Sequence, residues 1–318
     1  MNRIPIIIDC DPGVDDSYAI AMAHAFEGFD IKAITPVAGN VVFAKTSKNA
    51  LALAEMLNID CRVAKGADRP LEKEYKREAS GTHGITGVGT VVFPEATREF
   101  DEKPAWDVIY EEAVKAEGKL ILFAIGPLTN IALALRKYPD LPKLIDKFVI
   151  MGGGTFGNVR PARKAEFNIW VDPLAAKEVF EKMEVYMVGL NATHAATISS
   201  QDFVDMIELS GEGEHAYLIR ELSKFSKYNS EVNGSDSNLI HDALAVASII
   251  NDKVVTYEDC YCFVEDDENA PNDGETVVDF EGKYGKPVNC HIAMKVDKDL
   301  FVEMLKDTVK FYADKDKA

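Results

Sequence analysis

An open, mainly parallel α/β sheet flanked by helices, closed by an irregular and partly antiparallel C-terminal extension, is the fold class this sequence predicts. Two patterns carry that reading. Short β-branched runs alternate with longer stretches of helical spacing. The runs themselves are nearly all apolar, as in Ile6-Ile7-Ile8 and Leu120-Ile121-Leu122-Phe123, which marks strands covered on both faces by helices. Alternating β and α then implies right-handed crossovers and parallel pairing.

Along the chain, strands are expected at Pro5–Asp9, Ile31–Val37, Arg62–Ala64, Lys119–Ile125, Phe148–Met151 and Val185–Gly189. Helices are expected between them at Asp15–Phe26, Ala44–Leu57, Ala105–Ala116, Asn130–Tyr138 and Asp172–Lys182. The second half is more helical, with Gln201–Leu209, Glu214–Tyr228 and His241–Ile250. It then turns β-rich, with a strand at Val288–Val296 and a last helix from Asp299. Asn233–Asn238 has the Gly and Ser content of a mobile loop, and Ser235–Asn238 is suited to close over a substrate. No repeat or low-complexity linker divides residues 1–318, so one domain is expected.

The 318 residues hold 35 basic and 53 acidic side chains, a net charge of −18, with 47% hydrophobic residues. That apolar fraction excludes wholesale disorder. The charge argues against nucleic acid and anionic membrane partners, both of which need a basic footprint. No segment approaches the roughly 18 apolar residues of a bilayer span. The N-terminal apolar run passes straight into acids, unlike a signal peptide, and a cytoplasmic protein is expected. The five cysteines are scattered and odd in number, which suits buried thiols in a reducing compartment. Alternation puts Cys260 and Cys262 on one strand face.

The most informative segment follows the first strand: Asp9-Cys10-Asp11-Pro12-Gly13-Val14-Asp15-Asp16. Asp15 and Asp16 alone would be ordinary helix N-terminal residues. Four carboxylates within eight residues repel unless something positive lies between them, and no Lys or Arg follows until Lys32. A hard divalent cation held by oxygen ligands, calcium or magnesium, is the natural counter-charge.

This segment resembles the signature of the nucleoside hydrolases, N-ribohydrolases of the inosine- and uridine-preferring type. Further segments match in order: Val37-Ala38-Gly39-Asn40, Gly126-Pro127-Leu128-Thr129-Asn130, Met151-Gly152-Gly153, Ala165-Glu166-Phe167-Asn168 with Asp172-Pro173, and His241-Asp242-Ala243-Leu244-Ala245. The resemblance implies the nucleoside hydrolase fold, hydrolysis of the bond between ribose and base, calcium (Ca2+) as cofactor, and a homodimer or homotetramer. It implies Asp11 as general base and calcium ligand, with Asp16, Asp242 and the backbone carbonyl of Ile125 completing the shell. Asp9 would stand behind them. Asp15 and Asn40 would bind ribose hydroxyls near the metal, and Glu166 and Asn168 the others. Met151, in the matched segment at its strand end, joins the substrate side.

The chemistry needs those types. Cleavage passes through an oxocarbenium-like ribose. A bound cation lowers the pKa of water, a carboxylate takes its proton, and a donor helps the base depart. His241, directly before Asp242, is the expected donor, since His titrates in the right range. His83 and Tyr228 are expected base-side contacts. Asn158 is the candidate for an asparagine that the family carries before Glu-Phe-Asn, but Val159–Ala165 is about two residues longer than that pattern. It also adds Arg160, Arg163 and Lys164. The Gly152–Gly157 run lacks phosphate-loop spacing, so backbone approach to substrate is the better reading.

Three alternatives stand beside this one. Asp9-x-Asp11 also resembles the haloacid-dehalogenase phosphatases, with Asp9 as nucleophile, although Pro12–Asp16 fits that pattern poorly. A non-catalytic calcium-binding relative would keep the fold, yet has no need of an acid beside the metal. A modified ribosyl compound could replace the nucleoside, because base contacts come from loops.

Overall fold

The structure, a computed structural model, describes residues 3–72, 74, 79–154, 165–267 and 269–317. Its strands are β1 (Ile4–Cys10), β2 (Phe29–Pro36), β3 (Arg62–Val63), β4 (Leu120–Ala124), β5 (Ile145–Met151), β6 (Val185–Val188), β7 (Ile198–Ser199), β8 (Ser237–Asn238), β9 (Val255–Val264), β10 (Thr276–Asp279) and β11 (Cys290–Val296). Its helices are α1 (Val14–Ala25), α2 (Phe43–Met56), α3 (Ser80–His83), α4 (Ala105–Lys115), α5 (Thr129–Lys137), α6 (Phe167–Val171), α7 (Pro173–Lys182), α8 (Leu190–Thr193), α9 (Ser200–Ser210), α10 (Tyr217–Val232), α11 (His241–Ile250) and α12 (Lys298–Lys315).

Nine strands form one sheet in the order β10-β9-β11-β6-β5-β4-β1-β2-β3. From β3 to β11 the pairs are parallel, and β9 and β10 add antiparallel to that edge. This is the mixed α/β sheet expected, with the antiparallel part at the C-terminal end of the chain. Ile6, Ile7 and Ile8 are fully buried, as are Leu120, Leu122 and Phe123. Each such side chain contributes about 1.5–3 kcal/mol by leaving water. Alternate residues feed two cores: Ile6, Ile8 and Phe123 pack with α1 and α11, whereas Ile7, Leu120 and Leu122 pack with α4, α5 and α7.

The strand order positions the site. After β1 the chain builds outward through β2 and β3, then returns to β4 on the other flank of β1 and continues through β5 and β6. Connections therefore leave β1 and β4 in opposite directions, which opens a crevice at their carboxyl ends. Asp11, Asn40, Ile125, Gly152 and Gly189 follow the carboxyl ends of β1, β2, β4, β5 and β6 in turn.

Three expectations shift. Asn233–Asn238 is not wholly loop: Ser237 and Asn238 pair antiparallel with Ser199 and Ile198. The strand expected from Val288 begins at Cys290, and α10 begins at Tyr217 and runs on to Val232. Cys260 and Cys262 do share a buried face, packed against Cys290 and Ile292, and all five cysteines are free thiols. Among the described residues no helix is long and apolar enough to cross a membrane.

Candidate active site

Asp11 leaves β1 into a backbone fitted to its carboxylate. Oδ2 accepts from the backbone N–H of Asn40 at 2.6 Å. A side chain at Gly39 would collide with the same carboxylate, and a Cβ at Gly126 would come within 2.6 Å of Oδ1. Only glycine at both positions leaves room for Asp11. Oδ1 is buried with no hydrogen-bond partner, as are Oδ1 of Asp9 and Oδ1 of Asp15.

Asp16 has a double task. As the third residue of α1 its Oδ2 accepts from the Gly13 N–H at 2.8 Å, and its Oδ1 from the Asp11 N–H at 3.1 Å. That satisfies donors at the helix start. The Asn40 amide adds a third bond at 3.1 Å and also donates to the Asp11 carbonyl at 3.1 Å. Even so, burial and then the neighbouring Asp15 push the Asp16 carboxyl up to about 7. Asp242, the second residue of α11, faces Asp16, and burial followed by the charges of Asp15 and Asp16 raises it well above the usual carboxylate range. Asp11 is raised likewise, by burial first and then by Asp16.

One oxygen each from Asp15, Asp16 and Asp242 lies within 4.8 Å of the others. Asp15 was expected on the ribose side; here it completes the carboxylate trio, while Asp11 borders that trio instead of belonging to it. All donors are oxygens, all are buried, and Asp15 of the trio and Asp11 beside it each keep an unpartnered oxygen. These residues fit a hard divalent cation. Asp9 stands behind, accepting from Thr35 Oγ1 at 2.6 Å and Asn130 Nδ2 at 2.8 Å, and burial raises it to about 7.

Above the acids opens a cavity of about 320 Å³, whose lining includes Asp15, Asn40, Ile125, Met151, Glu166, Asn168 and Asp242. Glu166 caps α6 through the N–H groups of Asn168 and Ile169, at 2.9 and 3.2 Å, and accepts from Gly153 at 3.2 Å. Asn168 donates to the carbonyls of Ile125 at 3.0 Å and Met151 at 3.1 Å. The Ile125 carbonyl, expected as a metal ligand, thus already serves Asn168 with one lone pair.

His83 and His241 also line the cavity. His83 Nδ1 accepts from the Val14 N–H at 3.2 Å and lies 3.6 Å from Asp15 Oδ1. Burial lowers its pKa, against the opposing pull of Asp15, so the ring is neutral and carries its proton on Nε2. His241 Nδ1 lies 2.8 Å from Thr193 Oγ1. Tyr228 does not line the cavity: it is 60% exposed on α10. Phe225, Ser226 and Asn229 line it instead, because helical spacing of three and four turns that stripe inward and leaves Tyr228 off it. Asn238 and Leu239 add to the same wall. Asn158, Arg160, Arg163 and Lys164 lie outside the described residues. Among the described residues, no Lys or Arg lines the cavity.

The profile of the family described as inosine-uridine preferring nucleoside hydrolase matches residues 6–303. The chain belongs to the nucleoside hydrolase family. Its relatives include the non-specific ribonucleoside hydrolase RihC of Klebsiella pneumoniae subsp. pneumoniae, 38% identical over 301 residues, covering 94% of this chain and 96% of the relative. RihC of Escherichia coli O1:K1 / APEC is 38% identical over 297 residues, or 93% and 94% of the two chains. The purine-preferring ribonucleoside hydrolase of Gardnerella vaginalis superposes with a TM-score of 0.86 at 28% identity, covering 97% of this chain and 99% of the other. This nucleoside hydrolase is accordingly a nucleoside N-ribohydrolase, and the phosphatase and non-catalytic alternatives fall away.

Proposed function

We propose that this hydrolase is calcium-dependent and cleaves ribonucleosides with both purine and pyrimidine bases, using Asp11 as general base and His241 as the acid toward the departing base. The observation that carries the reading is the set of buried carboxylates, raised in pKa and with unpartnered oxygens, at the floor of a cavity of nucleoside size. Asp16 and Asp242, with Asp11 or Asp15 and the Ile125 carbonyl, would hold the ion. When bound, calcium supplies the positive charge these acids lack and makes a nearby water easier to deprotonate.

Asp11 receives the proton of the attacking water on the oxygen facing Gly126. The water oxygen bonds to C1′ as the bond from C1′ to the base nitrogen breaks, and His241 delivers a proton to the base. Asp15, Asn40, Glu166 and Asn168 hold the ribose hydroxyls, so that positive charge developing on the sugar lies among carboxylates. Breadth toward bases is supported by a base-side wall of mixed character, Phe225 and Leu239 beside Asn229 and Asn238. The non-specific relatives at 38% identity support it too.

The test is ribose release from inosine, adenosine, guanosine, uridine and cytidine, with and without a calcium chelator. Release from both base classes, abolished by the chelator and restored by calcium, is expected. Chelator-resistant release overturns the calcium reading; release from one base class alone overturns the breadth. His241→Ala is expected to slow inosine far more than p-nitrophenyl riboside, whose leaving group needs no proton. Equal loss on both removes His241 from the acid role.

A further inference from the structure

Thr193 is the last residue of α8, a four-residue helix that follows β6. A threonine at a helix end commonly turns its hydroxyl back to a carbonyl three or four residues earlier. Here the hydroxyl, on a residue only 2% exposed, meets His241 Nδ1 at 2.8 Å across 48 residues of sequence. It is the sole side-chain hydrogen bond of Thr193 among the described residues. Both ends of that bond are firmly seated. Gly189 starts α8 directly from the sheet, and its carbonyl accepts from the Thr193 N–H at 3.0 Å. His241 opens α11, whose Ala243 to Ala247 are fully buried against α1.

The imidazole of His241 has two nitrogens and a rotatable Cα–Cβ bond. Its backbone alone fixes neither which nitrogen faces the cavity nor which one holds the proton. We infer that Thr193 is a positioning residue: it ties Nδ1 to the end of α8, so that Nε2 is the atom delivered to the base. The inference rests on the acid role given to His241 above. Thr193 itself does not line the cavity, so it acts on the reaction only through the ring. Nothing in the local sequence Leu190-Asn191-Ala192-Thr193 points to this role.

The experiment compares kcat and KM of Thr193→Val, Thr193→Ser and His241→Ala on inosine and on p-nitrophenyl riboside. Thr193→Val keeps the shape and loses the hydrogen bond. It is expected to lower kcat on inosine about tenfold or more, the scale of a misaimed acid. KM on inosine and kcat on p-nitrophenyl riboside should stay within about twofold. Thr193→Ser, which keeps the hydroxyl, should recover most of the loss. Combined with His241→Ala, the valine change should add nothing further on inosine.

A valine variant that slows both substrates alike, or neither, overturns the assignment, and so does failure of serine to rescue. If Thr193→Val does not fold by circular dichroism, Thr193→Ala takes its place with the same criteria. Selective loss in His241→Ala with no selective loss in the Thr193 variants removes the Thr193 role alone. Equal loss on both substrates in His241→Ala removes the acid reading and this inference with it.

Discussion

Around Arg62, on β3, Asp101 accepts from the guanidinium at 2.7 and 3.1 Å, Glu111 at 3.0 Å and Glu112 at 2.9 Å. At the floor of the cavity, Asp11, Asp15, Asp16 and Asp242 face one another with no such cation among the described residues. The hydrogen bond from Arg62 holds the Asp101 carboxyl below its ordinary range, whereas burial and mutual repulsion hold Asp11, Asp16 and Asp242 above it. The same residue type thus stabilises the fold in one place and strains it in the other. Unpaired buried acids persist when something outside the chain completes them or when chemistry needs them.

Four changes bear on that contrast. Asp11→Asn should lower kcat about a hundredfold to ten-thousandfold, the range of a lost general base, with an unaltered circular dichroism spectrum. A loss under tenfold would move the base role elsewhere. Gly39→Ala should come close behind, since the new methyl displaces the same carboxylate. Normal activity in that variant would contradict the tight fit around Asp11.

Next in size are stability effects. Calcium at a hundredfold excess over its dissociation constant should stabilise the wild type by about 2.7 kcal/mol in thermal melts. In chelator, Asp242→Asn should raise Tm by about 2–5 °C, since one repelling charge is gone, while abolishing the calcium shift. Arg62→Met should do the opposite, lowering stability by about 2 kcal/mol and Tm with it, because it takes the guanidinium from Asp101, Glu111 and Glu112 and leaves Asp101 without a side-chain cation. A lower Tm for Asp242→Asn in chelator would mean that the acids are not in conflict.

The smallest effect is that of pH. Asp9 and Asp16, near 7 in the folded chain, have folded pKa values raised above those of the unfolded chain. Such groups contribute stability below the unfolded pKa, and it is lost as pH rises through about 7. The chelated protein should therefore melt higher at pH 5.5 than at pH 8. Calcium should shrink or reverse that difference. A flat profile in chelator would show that these carboxyls titrate normally.

Much of the site was legible because its pieces are contiguous. Asp9 to Asp16 span one strand end and one helix start, so their crowding follows from chain geometry alone. Glu166 and Asn168 likewise share one short turn. Tyr228 was misplaced for a corresponding reason: which stripe of α10 faces inward depends on what α10 packs against, and that lies far away in sequence. Asn229 Nδ2 donates to the Thr82 carbonyl at 3.0 Å, and the Phe225 ring lies against Gly89. Neither partner could be read from the helix. The pairing of β8 with β7, which turned an expected loop into a short ladder, is also a contact of distant segments.

By itself the sequence determined the alternation of buried strands and helices, the acid cluster and the family, since each is written in local order and spacing. Only the tertiary structure decided that Asp15 joins Asp16 and Asp242 while Asp11 borders them. It alone decided which side chains of α10 face the base and that Thr193 holds His241. Those outcomes depend on distances of a few ångströms between segments tens to hundreds of residues apart, and packing sets such distances, not spacing along the chain.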